Sequence, residues 1–102
     1  MRRIPMRLSP QGRKFLMNEE GLSLTAYPDP KLDALPDGSP NPAQKYSIGY
    51  GHSGAYKGQR ITRAEAEALL VQDIVKHEAA VSLTTPRATQ PQFDAMVVLS
   101  YN

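Results

Sequence analysis

The sequence has no cysteine. Disulfides and thiolate metal sites are therefore excluded, and the chain tolerates reducing and oxidising surroundings alike. Two histidines are too few, without thiols, to suggest a metal centre, and no cofactor is expected. No run of about 20 apolar residues exists, so no transmembrane segment is expected. Nothing resembles a signal peptide either. After Met1-Arg2-Arg3 comes Ile4-Pro5-Met6-Arg7, which interrupts any apolar stretch well before the roughly 7–15 residues that such a peptide needs. The chain reads as a soluble product made in the cytoplasm without a secretory address. Charge of one sign is also scarce: 12 Lys plus Arg stand against 10 Asp plus Glu, a net charge of +2. That balance is too even to argue for a nucleic-acid partner. The small basic excess collects at Arg2, Arg3 and Arg7, followed by Arg13 and Lys14. Residues 1–8 read as a basic arm, ordinarily a solvated tail, which would also suit an anionic partner.

What is present points to one small α+β domain, without internal repeats, over residues 9–102. Ser9-Pro10 is a helix start, with Ser9 as cap and Pro10 in the first helical position. Gly21 reads as the residue just past the end, giving a helix over about 10–20. Leu24-Thr25-Ala26-Tyr27 looks extended, and Pro28 biases its predecessor away from helix. Pro28, Pro30, Pro36, Pro40 and Pro42, with the turn signal Asp37-Gly38, make residues 28–43 a loop. Lys45 to His52 alternates, Tyr46, Ile48 and Tyr50 on one side and Ser47, Gly49 and Gly51 on the other. This predicts a strand with one nearly bare face that something can approach closely. Thr62-Arg63-Ala64-Glu65 matches a capping box, and Ala66, Leu69, Leu70, Ile74 and Val81 share a helical face beyond it. Thr84-Thr85-Pro86 breaks that helix. Thr89-Gln90-Pro91 opens another, carrying Phe93, Met96, Val97 and Leu99. This last helix reaches Tyr101-Asn102 inside an apolar run, with no Gly and no polar tail. It reads as a chain cut within a domain, and it should expose Val97 and Leu99 to a missing segment or a neighbouring protein.

Three carboxylates carry candidate chemistry. Glu20 lies in the last turn of its helix, where the macrodipole and neighbouring Glu19 both disfavour ionisation. A raised pKa is what a general acid working near neutral pH requires. Glu19 is the rival, about 100° away on the helix. Asp29 lies nine residues further on, and a carboxyl pair is the minimal equipment of glycoside hydrolysis. Asp residues beside prolines are also common turn formers, and Asp33 and Asp37 share that loop. Asp73 falls inside the apolar arc, between Leu69 and Leu70, so it needs a partner. His77, one turn later, and His52, at the end of the strand, both qualify.

Glu20-Gly21-Leu22-Ser23-Leu24-Thr25-Ala26-Tyr27-Pro28-Asp29, followed by Tyr46-Ser47-Ile48-Gly49-Tyr50-Gly51-His52, resembles the active-site signature of the T-even phage lysozymes (glycoside hydrolase family 24). Ile61 to Glu67 and on to Gln72-Asp73 is similar to the next helix of that family. Gln92-Phe93-Asp94-Ala95 to Tyr101-Asn102 is similar to the helix after it. The resemblance covers about residues 9–102. It implies a lysozyme-like fold with an N-terminal helix, a small antiparallel sheet, a long helix and the start of a helical lobe.

It further implies a muramidase of bacterial peptidoglycan, cutting between N-acetylmuramic acid and N-acetylglucosamine, generally with inversion. Glu20 matches the family's general acid, and Asp29 the carboxylate that orients or activates the attacking water. Ser47 stands where the family usually has Thr, a hydroxyl that helps hold this water. His52 and Asp73 match a structural ion pair, which decides between the two histidines. The segment between Asp29 and Ser47 is longer than the family's short hairpin, so Asp33 competes with Asp29 for the sugar. The Tyr27-Pro28-Asp29 context favours Asp29. The family's domain continues into helices that form the other wall of the cleft, so these 102 residues alone are expected to show little lytic activity. The product is expected to be phage-encoded, an endolysin for host lysis or a virion-associated enzyme. A lytic transglycosylase, and a non-catalytic wall-binding or virion structural module, are the alternatives.

Overall fold

The structure, a computed structural model, describes residues 6–29, 35–39, 41 and 43–101. Arg2 and Arg3 of the basic arm, and Asp33 as rival to Asp29, lie outside the described residues. The elements run α1 (Pro10–Glu20), β1 (Ser23–Pro28), β2 (Tyr46–Gly49), β3 (His52–Ala55), α2 (Arg63–Thr84) and α3 (Gln90–Tyr101). The α+β expectation is met: the described residues form three helices and a three-stranded antiparallel sheet in the order β1-β2-β3. The chain divides into two compact units. One is helical, built from residues up to Glu20 and from Val71 onward; the other, Gly21–Leu70, holds the sheet.

In the helical unit, Ser9 caps α1: the Gly12 N–H donates to Ser9 Oγ at 3.0 Å, satisfying one of the first-turn donors that no helical carbonyl can reach. Gly21, at φ +70°, ends the helix in the left-handed conformation that glycine adopts without penalty. A reciprocal cap opens α3, in which the Thr89 N–H donates to Gln92 Oε1 at 2.9 Å and the Gln92 N–H to Thr89 Oγ1 at 3.4 Å. The core is Leu8, Leu16, Ile74, Val81, Phe93, Val97 and Val98. Val97 is fully buried, contrary to the expectation of an exposed residue. It stands one turn after Phe93, so the two share the buried stripe. Leu99 is 73% exposed, as expected.

In the sheet unit, β1 pairs with β2 at Tyr27↔Ser47 and Pro28↔Tyr46, and β2 with β3 at Ser47↔Ser53 and Ile48↔His52. The single strand expected over 45–52 is thus two strands and a turn. Gly49 (φ +68°) and Gly51 (φ +85°) reverse the chain around Tyr50, and His52 begins the returning strand. The alternating glycines that suggested a bare face are the residues that let the backbone turn.

A bare position exists nonetheless. A Cβ on Gly49 would stand 3.4 Å from that of Ala66, so the glycine gives room for the first turns of α2. The outer edge of β1 is covered as well: the Ala26 N–H donates to Gln59 O and the Ile61 N–H to Leu24 O, both at 2.9 Å. The expected capping box opens α2. The Thr62 N–H reaches Glu65 Oε1, and the Glu65 N–H reaches Thr62 Oγ1, each at 3.1 Å. Ile48, Tyr50, Ala66 and Leu70 form this unit's core.

Candidate active site

Glu20 is the last residue of α1 and half-buried, whereas Glu19 beside it is exposed. Burial, and then the like charge of Glu19, push the Glu20 carboxyl above the ordinary carboxylate value. Burial acts because the charged form loses hydration that the protonated form does not need. The sequence placed both the like-charge effect and the direction; the larger cause, burial, needed the fold. Of the two neighbours, Glu20 is the less exposed.

The sheet unit positions Asp29 and Ser47. Asp29 follows β1 directly and stays on its ladder, its N–H donating to Lys45 O at 2.7 Å. Gln44 fastens the same junction, its Nε2 donating to Lys45 O at 2.8 Å and to Asp29 O at 3.3 Å. Ser47 lies opposite Tyr27 in the middle of the sheet and is 7% exposed. Since side chains two apart share a face of a strand, this register sets Asp29 and Ser47 on one side as diagonal neighbours. The half-buried carboxylate is therefore held by backbone on a rigid ladder, although it begins a loop. Asp37, deeper in that loop, is a turn former: its Oδ1 accepts the Ser39 N–H at 2.9 Å and the Ser39 hydroxyl at 2.5 Å. These bonds hold its carboxyl below the ordinary range.

His52 is half-buried at the start of β3, opposite Ile48. Asp73 is half-buried on α2 in the helical unit. His77, the other histidine, faces α3, where its Nδ1 stands 2.7 Å from Ser100 Oγ and its ring 5.3 Å from that of Tyr101. Among the described residues no group of three metal-ligating side chains comes together.

Two carboxylates were not singled out in the sequence. Glu78, 8% exposed, accepts the Leu8 N–H at Oε2 (2.6 Å), with the Arg7 guanidinium 3.7 Å from Oε1. Asp94 accepts the Ser9 N–H at 3.0 Å and the Ser9 hydroxyl as well, and Gln90 Nε2 donates to it at 2.8 Å. Glu78 could have been found as Asp73 was, because it stands between Ile74 and Val81 on the apolar stripe. Its partner could not: the bond spans 70 positions, and that of Asp94 to Ser9 spans 85.

Residues 17–102 match the phage lysozyme family. The endolysin of Lactococcus phage c2 is 35% identical over 100 residues, covering 95% of this chain and 39% of the relative. The endolysin of Bacillus phage PZA is also 35% identical, with 35% of its length covered. The chain thus spans about two-fifths of the length of these relatives or somewhat less. Among solved structures, a lysozyme variant of phage P22 superposes with a TM-score of 0.71 at 30% identity, over 95% of this chain and 63% of that one. The muramidase domain of SpmX from Asticaccaulis excentricus does so with a TM-score of 0.68 at 33% identity, over 94% and 58%. With its α1, three-stranded sheet and long α2 in the order the resemblance implied, the chain belongs to the phage lysozyme family.

Proposed function

We propose that the chain carries the catalytic carboxyls of a peptidoglycan muramidase, an endolysin-type enzyme that hydrolyses the bond between N-acetylmuramic acid and N-acetylglucosamine. The observation that carries this is Glu20, a carboxyl whose pKa is raised by burial and by Glu19, in a chain whose relatives bear the names endolysin, lysozyme and muramidase. Glu20 protonates the glycosidic oxygen as its bond to the anomeric carbon lengthens. Asp29 accepts a proton from the water that attacks that carbon, and Ser47 fixes the water by hydrogen bonding. The carbon–oxygen bond to the leaving sugar breaks as that to water forms, so the product inverts. The joint hold of the β1–β2 ladder on Asp29 and Ser47 supports this division of labour. His52 and Asp73 are proposed as an ion pair that supports the fold and exchanges no proton with substrate.

Purified peptidoglycan tests the reading, digested with the longest gene product that contains these residues and with the 102-residue chain. The expected products are muropeptides with a new reducing end at N-acetylmuramic acid, lost in Asp29→Asn. An anhydro ring in place of that reducing end would make the enzyme a lytic transglycosylase. Binding without turnover in the longest product would make it a wall-binding module.

A further inference from the structure

Asp94 accepts three hydrogen bonds in the helical unit. It receives the backbone N–H and the hydroxyl of Ser9, the residue that caps α1, and the amide of Gln90 one turn earlier on α3. The same Gln90 amide also donates to Arg7 O at 2.9 Å, fastening the segment that enters α1. Ser9 Oγ in turn accepts the Gly12 N–H. Gly12 is buried against this carboxylate: a Cβ there would lie 2.9 Å from Asp94 Cγ, 3.0 Å from Oδ2 and 2.8 Å from Leu8 Cδ1. The first turn of α1 therefore fits α3 in one axial position, with the Ser9 donors on Asp94 and Gly12 against it. Further along α1 the hold is thinner. Leu16 is fully buried, but Phe15 is 54% exposed.

We propose that Asp94 is a positioning residue for Glu20, setting the seat of α1 against α3 and so placing the carboxyl at the helix's other end. A helix is stiff over eleven residues, and Glu20 lies roughly 15 Å along the axis from the Asp94 contact. A helix fixed at its start and at Leu16 delivers its last turn to one place; without the first fixture Ser9, whose hydroxyl caps the Gly12 N–H, is no longer held against α3, and the helix can shift or fray. Glu20 registers such movement because its hydration depends on where α1 ends. The importance of this placement rests on the proposed role of Glu20 as acid. The placement itself does not, and it can be read without substrate.

The experiment is a carbon-13 NMR titration of the Glu20 carboxyl, with amide exchange measured on the same samples. Asp94→Ala should bring the Glu20 midpoint down toward the ordinary value of 4.5. It should also speed exchange of the α1 amides by about tenfold, with a smaller change in β2 and β3. Thr62→Ala, which removes the α2 cap, supplies a comparable loss of melting temperature and should leave the Glu20 midpoint in place. Should Asp94→Ala not fold, Ser9→Ala is read by the same two measurements, with shifts in the same direction and smaller size. The inference is overturned if the midpoint stays put in a folded Asp94→Ala or Ser9→Ala variant, or if Thr62→Ala moves it as far. Hydrolysis retained in Glu20→Gln would instead remove the acid role and leave these readings standing.

Discussion

The two units hold their carboxylates by different means. In the helical unit Glu20 ends a helix whose place depends on side chains far away in sequence: an apolar stripe around Leu16, Phe93 and Val97, and the ties of Glu78 and Asp94 to residues 8 and 9. In the sheet unit Asp29 and Ser47 are placed by backbone bonds of a ladder, and the packing of Gly49 against Ala66 is local by comparison. The contrast suits the proposed tasks. A proton donor gains from a partly dry site that raises its pKa, which burial at a packed helix end provides. A carboxylate that activates water gains from an exact position beside a hydroxyl, which a strand pair provides.

Core truncation should break the comparison most strongly. Phe93→Ala removes the largest fully buried side chain of the helical unit and should cost about 3–5 kcal/mol, while Ile48→Ala in the sheet unit should cost about 2–5 kcal/mol. Chemical denaturation followed by circular dichroism measures both. A greater loss from Ile48→Ala would show that the sheet unit is the more dependent on side-chain packing. Glu78→Ala should come next, at about 1–3 kcal/mol, because it strands the buried Leu8 N–H without an acceptor. A neutral outcome would mean that the α1 entry is held by its apolar contacts and the ties of Asp94 and Gln90, without help from Glu78.

The smallest stability effect concerns Glu20. Its folded pKa lies above the ordinary value of 4.5, so the folded state binds this proton more tightly than the unfolded chain does. The resulting stability is fully present below the unfolded pKa and is lost as pH rises through the folded pKa. Glu20→Gln, always neutral, should match the parent in acid and melt slightly higher above that window. Melting curves from pH 3 to pH 8 test this, and a gap that widens toward acid would reverse the assigned direction.

Much of this was legible because helix ends are written locally. Ser9-Pro10 with Gly21, Thr62 with Glu65, and Thr89-Gln90-Pro91 each place chemistry within a few residues of the feature they cause, and all three helices follow them. Glu20 was singled out on the same basis, whereas Ser47 was reached only through the resemblance to the phage lysozymes. The β2–β3 hairpin was hidden because Gly49 and Gly51 keep the two-residue alternation of a strand while supplying the positive φ of a turn. The turn is not one of the Asn-Gly or Asp-Gly pairs that announce a hairpin. Val97 was misread because an apolar run on a helix does not reveal which stripe is covered. The grips of Glu78 and Asp94 were invisible for a different reason: their partners are 70 and 85 residues away, and only the folded chain makes them neighbours.

The account turns on Glu20 as the proton donor, and one measurement addresses it directly. Reducing ends released from purified peptidoglycan should be counted over time for the longest gene product carrying these residues and for its Glu20→Gln variant, with melting temperatures recorded alongside. The account predicts that the variant stays folded, melts within a few degrees of the parent, and loses about a hundredfold to ten-thousandfold in rate, the usual contribution of general acid–base catalysis. A folded Glu20→Gln variant that released reducing ends at a rate comparable to the parent would contradict it and move the acid role away from the end of α1.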